Sequence, residues 1–201
     1  MFITSQGFKK LINEAYKGAG LRIGNDGEGY YLCGGHWVMW IEYGCIPKKE
    51  LGSIIELTGE LPAHGEGFTS TKSGNQYELQ FEDVYRVMAH AEECEEELAV
   101  TPVVLKYSTG QQARILQNVN NRTIVLINDK FIDFIDNSVV EYENGETAAV
   151  GPLISGKMKG VFWKNETMAL HVYPRTDDEN IKLIGLLETF DIMNAGEENE
   201  Y

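Results

Sequence analysis

The 201-residue chain has few of the residues that announce a chemistry. Its three cysteines, Cys33, Cys45 and Cys94, are odd in number and show no CxxC spacing. No disulfide framework is indicated, and a reducing, cytoplasmic setting is expected. No apolar run reaches the length of about 18 residues that a membrane-spanning helix needs. The opening MFITSQGFKK lacks the apolar core of a signal peptide. Basic residues are scarce: 17 Lys and Arg stand against 31 Asp and Glu, a net charge of −14. That balance argues against coating nucleic acid with the whole surface and against an anionic membrane, while leaving room for a local basic patch. HExxH, GxSxG, P-loop and dinucleotide fingerprints are all missing. The expectation is therefore no catalytic residue, no cofactor and no metal site, with a non-catalytic role favoured over an enzymatic one.

What the chain does have is a succession of short amphipathic segments. Residues 2–4, FIT, form a strand candidate. A helix follows from Ser5 or Gln6, with Phe8, Leu11, Ile12 and Ala15 as its apolar stripe and Gly18 and Gly20 as its end. LRI, YYLC and HWVMWIEY then read as antiparallel strands with glycine turns. Trp37, Met39 and Ile41 alternate with Val38 and Trp40, so the last of these strands is apolar on both sides. It belongs in the centre of a sheet or under a helix. IPKKELGSIIELTGELP reads as a second helix, with Pro47 in its first turn, Ile46, Leu51, Ile54, Ile55 and Leu57 inward and Pro62 closing it. Residues 63–80 are either a hairpin around Ser-Gly-Asn or a mobile loop. The spacing of Phe81, Val84, Tyr85, Met88, Ala91 and Leu98 predicts the longest helix, over 81–98, with glutamates crowding its C-terminal turns against the helix dipole. Three strand-like runs occupy 101–127. A short helix with Phe131, Phe134 and Ile135 inward starts at Asn128 or Asp129. More strands follow, and 181–193 fits a strand or a helix with Ile181, Ile184, Leu187 and Phe190 inward. The fold class is α+β: antiparallel sheets with short packing helices. The layout of 2–15 is echoed at 125–138, which suggests two similar units. The expected domains are 1–80, an acidic helix or linker at 81–100, and 101–201.

Several residues invite a chemical reading, each with a plain alternative. His64 lies beside Glu66 in a glycine-rich loop; it is the best single candidate for a base, and an ordinary surface histidine otherwise. His171 sits in an apolar strand. A small hydrolase would need one of these histidines against a carboxylate. His90 and Cys94 are four apart on a predicted helix, which supplies two ligands and no complete metal site. GNDGEG at 24–29 is rich in oxygen but lacks the rest of a calcium loop. Lys157 and Lys159 lie among glycines without a strand-to-helix phosphate cradle. The aromatic set of Tyr30, Tyr31, Trp37, Trp40, Trp163 and Tyr173 is either core packing or the lining of a groove for a partner peptide.

Four segments carry a resemblance. FITSQGFKKLINEAYK, IPKKELGSIIELTGELP, INDKFIDFIDNS and VFWKNETMALHVYPRT together resemble the strand–helix opening, the second helix and the closing strand of the repeated unit in sliding DNA clamps, the polymerase processivity factors. The resemblance covers about half the chain. It implies a non-enzymatic accessory of DNA replication or repair that self-associates as a ring around duplex DNA and offers a hydrophobic pocket to short peptides of partner proteins. Lys9, Lys10, Lys17, Lys48 and Lys49 would then face the phosphates, because ammonium groups on helices reach the backbone without reading bases. The chain departs from the pattern in being short for a ring subunit. It also departs in the acidity of 81–98 and of 129–136, where Asp129, Asp133 and Asp136 stand against Lys130. The competing reading is a protein-interaction or regulatory scaffold that never touches DNA.

Overall fold

The computed structural model describes residues 1–78, 86–136, 148–155, 160–176 and 180–193. The chain opens with α1 (Ser5–Lys17), β1 (Leu21–Asn25), β2 (Gly29–Gly34), β3 (Trp37–Glu42), α2 (Lys48–Thr58), β4 (Gly67–Thr71) and β5 (Gly74–Glu78). It continues through α3 (Val87–Glu92), β6 (Glu96–Lys106), β7 (Gln112–Asn118), β8 (Ile124–Asn128) and α4 (Lys130–Phe134). It closes with β9 (Val150–Ile154), β10 (Val161–Lys164), β11 (Met168–Val172) and α5 (Ile181–Leu187). The eleven strands among the described residues make one sheet in the order β5-β4-β1-β2-β3-β11-β10-β9-β6-β7-β8. Every pairing in it is antiparallel. The architecture is thus α+β, an antiparallel sheet with short packing helices, as the patterning predicts.

Helix α1 follows its apolar spacing closely. Thr4 caps it, its hydroxyl accepting from the Gly7 amide at 3.1 Å, and Phe8, Leu11, Ile12 and Ala15 are buried. At the far end the Gly18 amide donates to the Glu14 and Ala15 carbonyls. Gly7 lies against α4 so closely that an added Cβ would come within 2.7 Å of the Phe134 ring. In α2 the structure departs from expectation at both ends. Pro47 is the N-cap residue, and Gly59, with φ of 79°, ends the helix before Pro62 is reached. Ile54 is buried, whereas Ile55 is 40% exposed, because the inward stripe runs through Glu50, Ser53, Ile54 and Thr58. Residues 67–78 form the hairpin rather than a loose loop.

Strand β3 is central and covered on both faces. Trp37, Met39 and Ile41 join the larger core under α1, α2 and α4. Val38 and Trp40 join a smaller one with Val87, Ala91 and Cys94, from α3 and the turn that follows it. A third cluster, built from Ala113, Ile115, Leu126 and Ile192, lies between β7, β8 and the segment after α5.

The long helix expected over 81–98 is not formed. Residues 81–85 lie outside the described residues, α3 spans only Val87–Glu92, and Glu96 to Leu98 begin β6. Pairing overrides helix propensity there. Glu96 and Glu97 face Ile154 and Leu153 in the ladder, and Asn118 donates to the Glu96 carboxylate at 2.7 Å. In α5 the half-buried side chains are Ile184 and Leu187, while Ile181 and Phe190 face solvent.

The described residues show no second unit matching the first. Residues 2–4 form an antiparallel bridge with 134–136, through Ile3 opposite Ile135, Thr4 N donating to Phe134 O at 2.9 Å and Asp136 N to Phe2 O at 2.7 Å. Residues 125–127, which the layout echo equates with 2–4, lie instead in the edge strand β8. Any strand followed by a short amphipathic helix yields that echo, so it does not fix equivalent places in the fold.

Candidate functional site

Two features of one sheet face stand out, a lysine-bearing helix layer and a cavity at its end. Helices α1 and α2 pack side by side over the larger core, and their N-termini are tied where the Ser5 hydroxyl donates to the buried Glu50 carboxylate at 2.5 Å. Lys9, Lys10, Lys17, Lys48 and Lys49 are all exposed on this layer. Lys10 and Lys17 share a helix stripe, and the Lys10 ammonium also lies 5.6 Å from the centre of the Phe134 ring. Lys130 of α4 adds a sixth lysine. The three helices carry four acidic residues against these six, and one of the four, Glu50, is buried. In a chain of net charge −14 this is local charge reversal. The acidic residues feared near α4 are partly neutralised: Asp129 pairs with Arg114 at 2.7 Å, and Lys130 pairs with Glu14. Glu92 and Glu93 belong to α3 and its C-cap, on the opposite face of the sheet.

The cavity, of about 640 Å³, opens where the C-terminal turn of α1 meets the β2–β3 turn, the start of α4 and the segment after β11. Trp37, Phe131, Tyr173 and Pro174 give it an apolar body; Glu14, His36, Gln111, Asn128, Lys130 and Arg175 give it polar groups. The wall at 173–175 is held by backbone bonds, Tyr173 N to His36 O at 3.0 Å and Arg175 N to Leu126 O at 2.7 Å. The Arg175 guanidinium stacks on Tyr107 at 3.9 Å and donates to the Gln111 side-chain oxygen Oε1 at 2.7 Å. Burial, and after it the nearby Cys33, push the Tyr173 phenol up from its ordinary pKa. A concave, mainly apolar site of this size with a few convergent polar groups suits a small ligand or a peptide side-chain anchor.

Of the aromatic set, Trp37 and Tyr173 reach the cavity. Tyr31, Trp40 and Trp163 are core, and the Trp40 indole donates to Asp26 at 2.8 Å. His171 is buried, stacked on Phe162 with centroids 4.3 Å apart and tilted by 48° against Tyr173 at 4.4 Å. His64 packs over Gly27, while Glu66 turns back to the Ala63 amide at 3.3 Å. GNDGEG is a strand turn, in which Asp26 accepts from the Glu28 and Gly29 amides. His90 and Cys94 sit on and just after α3. Burial pushes the Cys94 thiol up to about 11. No group of three metal-ligating side chains occurs among the described residues. Lys157 and Lys159 lie outside them. No described helix is long and apolar enough to cross a membrane.

Gln111, Asn128 and Lys130 were not legible as site residues in the sequence. The only signal near them was the Pro-Arg pair after β11, and it says nothing about what Arg175 meets across the fold.

No family model matches the sequence. No curated protein matches it either. Among solved structures the chain has a distant, partial resemblance to the DNA polymerase III beta chain of Streptococcus pneumoniae, at 9% identity and a TM-score of 0.33. The likeness covers 90% of this chain and 66% of that one, so the chain spans about two thirds of its length.

Proposed function

We propose that the protein is a non-catalytic, clamp-like accessory that self-associates and lays the α1–α2 layer along duplex DNA. The observation that carries this reading is the charge reversal of that layer, five lysines to three acidic residues in a chain of net −14. Lys9, Lys10, Lys17, Lys48 and Lys49 are the phosphate contacts. Exposed ammonium groups on helix surfaces give affinity without sequence preference. The placement of α3 on the opposite face removes its acidic residues from the DNA side.

The cavity supports a second element of the reading, a short apolar peptide of a partner protein anchored between Trp37, Phe131 and Tyr173. The domain reading, 1–80 and 101–201 joined through 81–100, keeps one support. The pair Met39–Leu170 and the bridge Ile3–Ile135 join the two parts, with β3-β2-β1 running outward from the β3–β11 pairing on one side and β11-β10-β9 on the other.

The test is duplex binding as a function of salt, with native mass by light scattering alongside. The intact chain is expected to bind random-sequence duplex. Replacing Lys9, Lys10, Lys48 and Lys49 together by alanine should lower the slope of log affinity against log salt by about 3 to 4. An unchanged slope would remove DNA from the reading and leave the interaction scaffold.

A further inference from the structure

The segment after α5 approaches the cavity from the far side of β7 and β8. Strand alternation separates the two faces there. Leu116, Val125 and Ile127 enter the larger core with α1 and α4, whereas Ala113, Ile115 and Leu126 enter the cluster with Ile192. The fully buried Gln117 side chain fixes this segment, donating to the Phe190 carbonyl and accepting from the Ile192 amide, both at 2.9 Å. At the other end of β7, Gln111 lines the cavity and its Oε1 holds Arg175. Tyr107 packs against the Ile192 cluster and carries the Arg175 guanidinium on its ring. The Ile192 cluster thus adjoins the wall of the cavity.

Residues 194–201, Asn-Ala-Gly-Glu-Glu-Asn-Glu-Tyr, continue the chain from Met193. Length, charge and shape suit them to the cavity. From Gln117 back to Gln111 is six residues of strand, about 20 Å. The eight steps from Met193 to Tyr201 span at most about 28 Å. The tail carries Glu197, Glu198 and Glu200 and no basic residue. The cavity lining sets Lys130 and Arg175, with His36, against Glu14. Tyr201 is the one aromatic residue of the tail, and Trp37, Phe131, Tyr173 and Pro174 form an apolar seat of the kind an aromatic ring fills. The lysines of α1 are a second positive surface. They lie on the opposite face of β7 and β8 from Ile192, so a chain this short meets the cavity at the strand ends first.

We propose that residues 194–201 occupy the cavity of their own chain, with the Tyr201 ring among Trp37, Phe131 and Tyr173 and the tail glutamates towards Lys130 and Arg175, and that the tail has to leave before a partner peptide enters. The proposal rests on the peptide-anchor reading of the cavity above and adds its regulation. A tethered occupant acts at an effective concentration in the millimolar range. It therefore excludes weak peptides and yields to tight ones, and the apparent affinity of any peptide falls by the fraction of chains whose cavity is open.

The experiment compares the full-length chain with a variant of the same length carrying Glu197→Gln, Glu198→Gln, Glu200→Gln and Tyr201→Ser. The reporters are the Trp37 indole N–H and the backbone amides of Asn128 and Lys130 in two-dimensional NMR. The four substitutions should move all three signals. A synthetic peptide copying residues 194–201, added to the variant, should move them back. Acetyl-Leu-Phe-amide serves as the partner-like probe, and it should bind the variant roughly threefold to tenfold more tightly than the unaltered chain. Reporters that ignore the substitutions overturn the tail as occupant. Reporters that move while the probe binds both chains equally overturn its role in excluding peptides. If the tail fails but the probe still shifts the reporters, the peptide-anchor reading stands without it; if the probe shifts none of them in either chain, that reading falls too.

Discussion

On one face of β3, Trp37, Met39 and Ile41 lie under α1, α2 and α4; on the other, Val38 and Trp40 lie under the six-residue α3. Both faces are apolar at the strand, yet their outer surfaces differ in charge. The helices of the first face carry an excess of lysine, while the second is edged by Glu92 and Glu93. Strand alternation produces the separation. Successive side chains go to opposite faces, and each face then recruits whichever helix the chain supplies next. The contrast teaches that the net charge of this protein predicts nothing about a given face, because the sheet sorts the charges before solvent meets them.

The comparison can be broken first through stability. Phe8→Ala removes a fully buried ring from the larger core and should cost about 3–5 kcal/mol in urea unfolding. Val87→Ala, in the smaller core, should cost about 2 kcal/mol. Equal losses would mean that the two faces are equally important to the fold. Gly7→Ala probes the close approach of α1 to α4 and should cost about 1–3 kcal/mol, since Phe134 has to move; a neutral result would show that the α4 side is loosely packed.

Charge sharpens the contrast in a second way. Replacing Lys9 and Lys10 by glutamate should reduce duplex affinity at least tenfold at low salt while shifting stability by less than about 0.5 kcal/mol. Replacing Glu92 and Glu93 by lysine should change affinity about twofold or less. A gain on the α3 face as large as the loss on the α1 face would indicate a response to net charge alone.

The smallest expected effect concerns pH. Cys94 is pushed up to about 11 from 9.0, mainly by burial, with Lys164 opposing and Glu93 adding. Its folded form holds the neutral thiol. The stability this contributes is complete below the ordinary thiol value and is lost as pH rises from about 9 to about 11. Alkylation at pH 8 should therefore modify Cys33 and Cys45, which are half-buried, well before Cys94. Equal rates for all three would show that α3 opens readily.

Legibility followed the range of the interaction that decides each element. Helix α1 was readable because Phe8, Leu11, Ile12 and Ala15 repeat at helical spacing beside a local cap. Strand β3 was readable because apolar residues on both sides of a strand leave only a central position. The 81–98 helix was misread because its glutamates have good helix propensity, and the partners that draw Glu96 and Glu97 into β6 come from Leu153 and Ile154, more than fifty residues away. The lysines were legible as exposed helix positions, but their shared layer was not, since it depends on α1 and α2 packing together. Lys130 and Gln111 could not be nominated at all, because nothing local marks them and only the fold brings them to Arg175.

The sequence by itself determined the α+β class, the course of α1, the two-sided burial of β3 and the acidic balance of the whole, because each rests on local periodicity or on a sum over residues. The tertiary structure decided the order of the eleven described strands, the face on which the lysines gather and the cavity beside Arg175. Those depend on contacts between segments far apart in the chain, and the hydrogen-bonding capacity of a strand edge is the same whichever neighbour the fold provides.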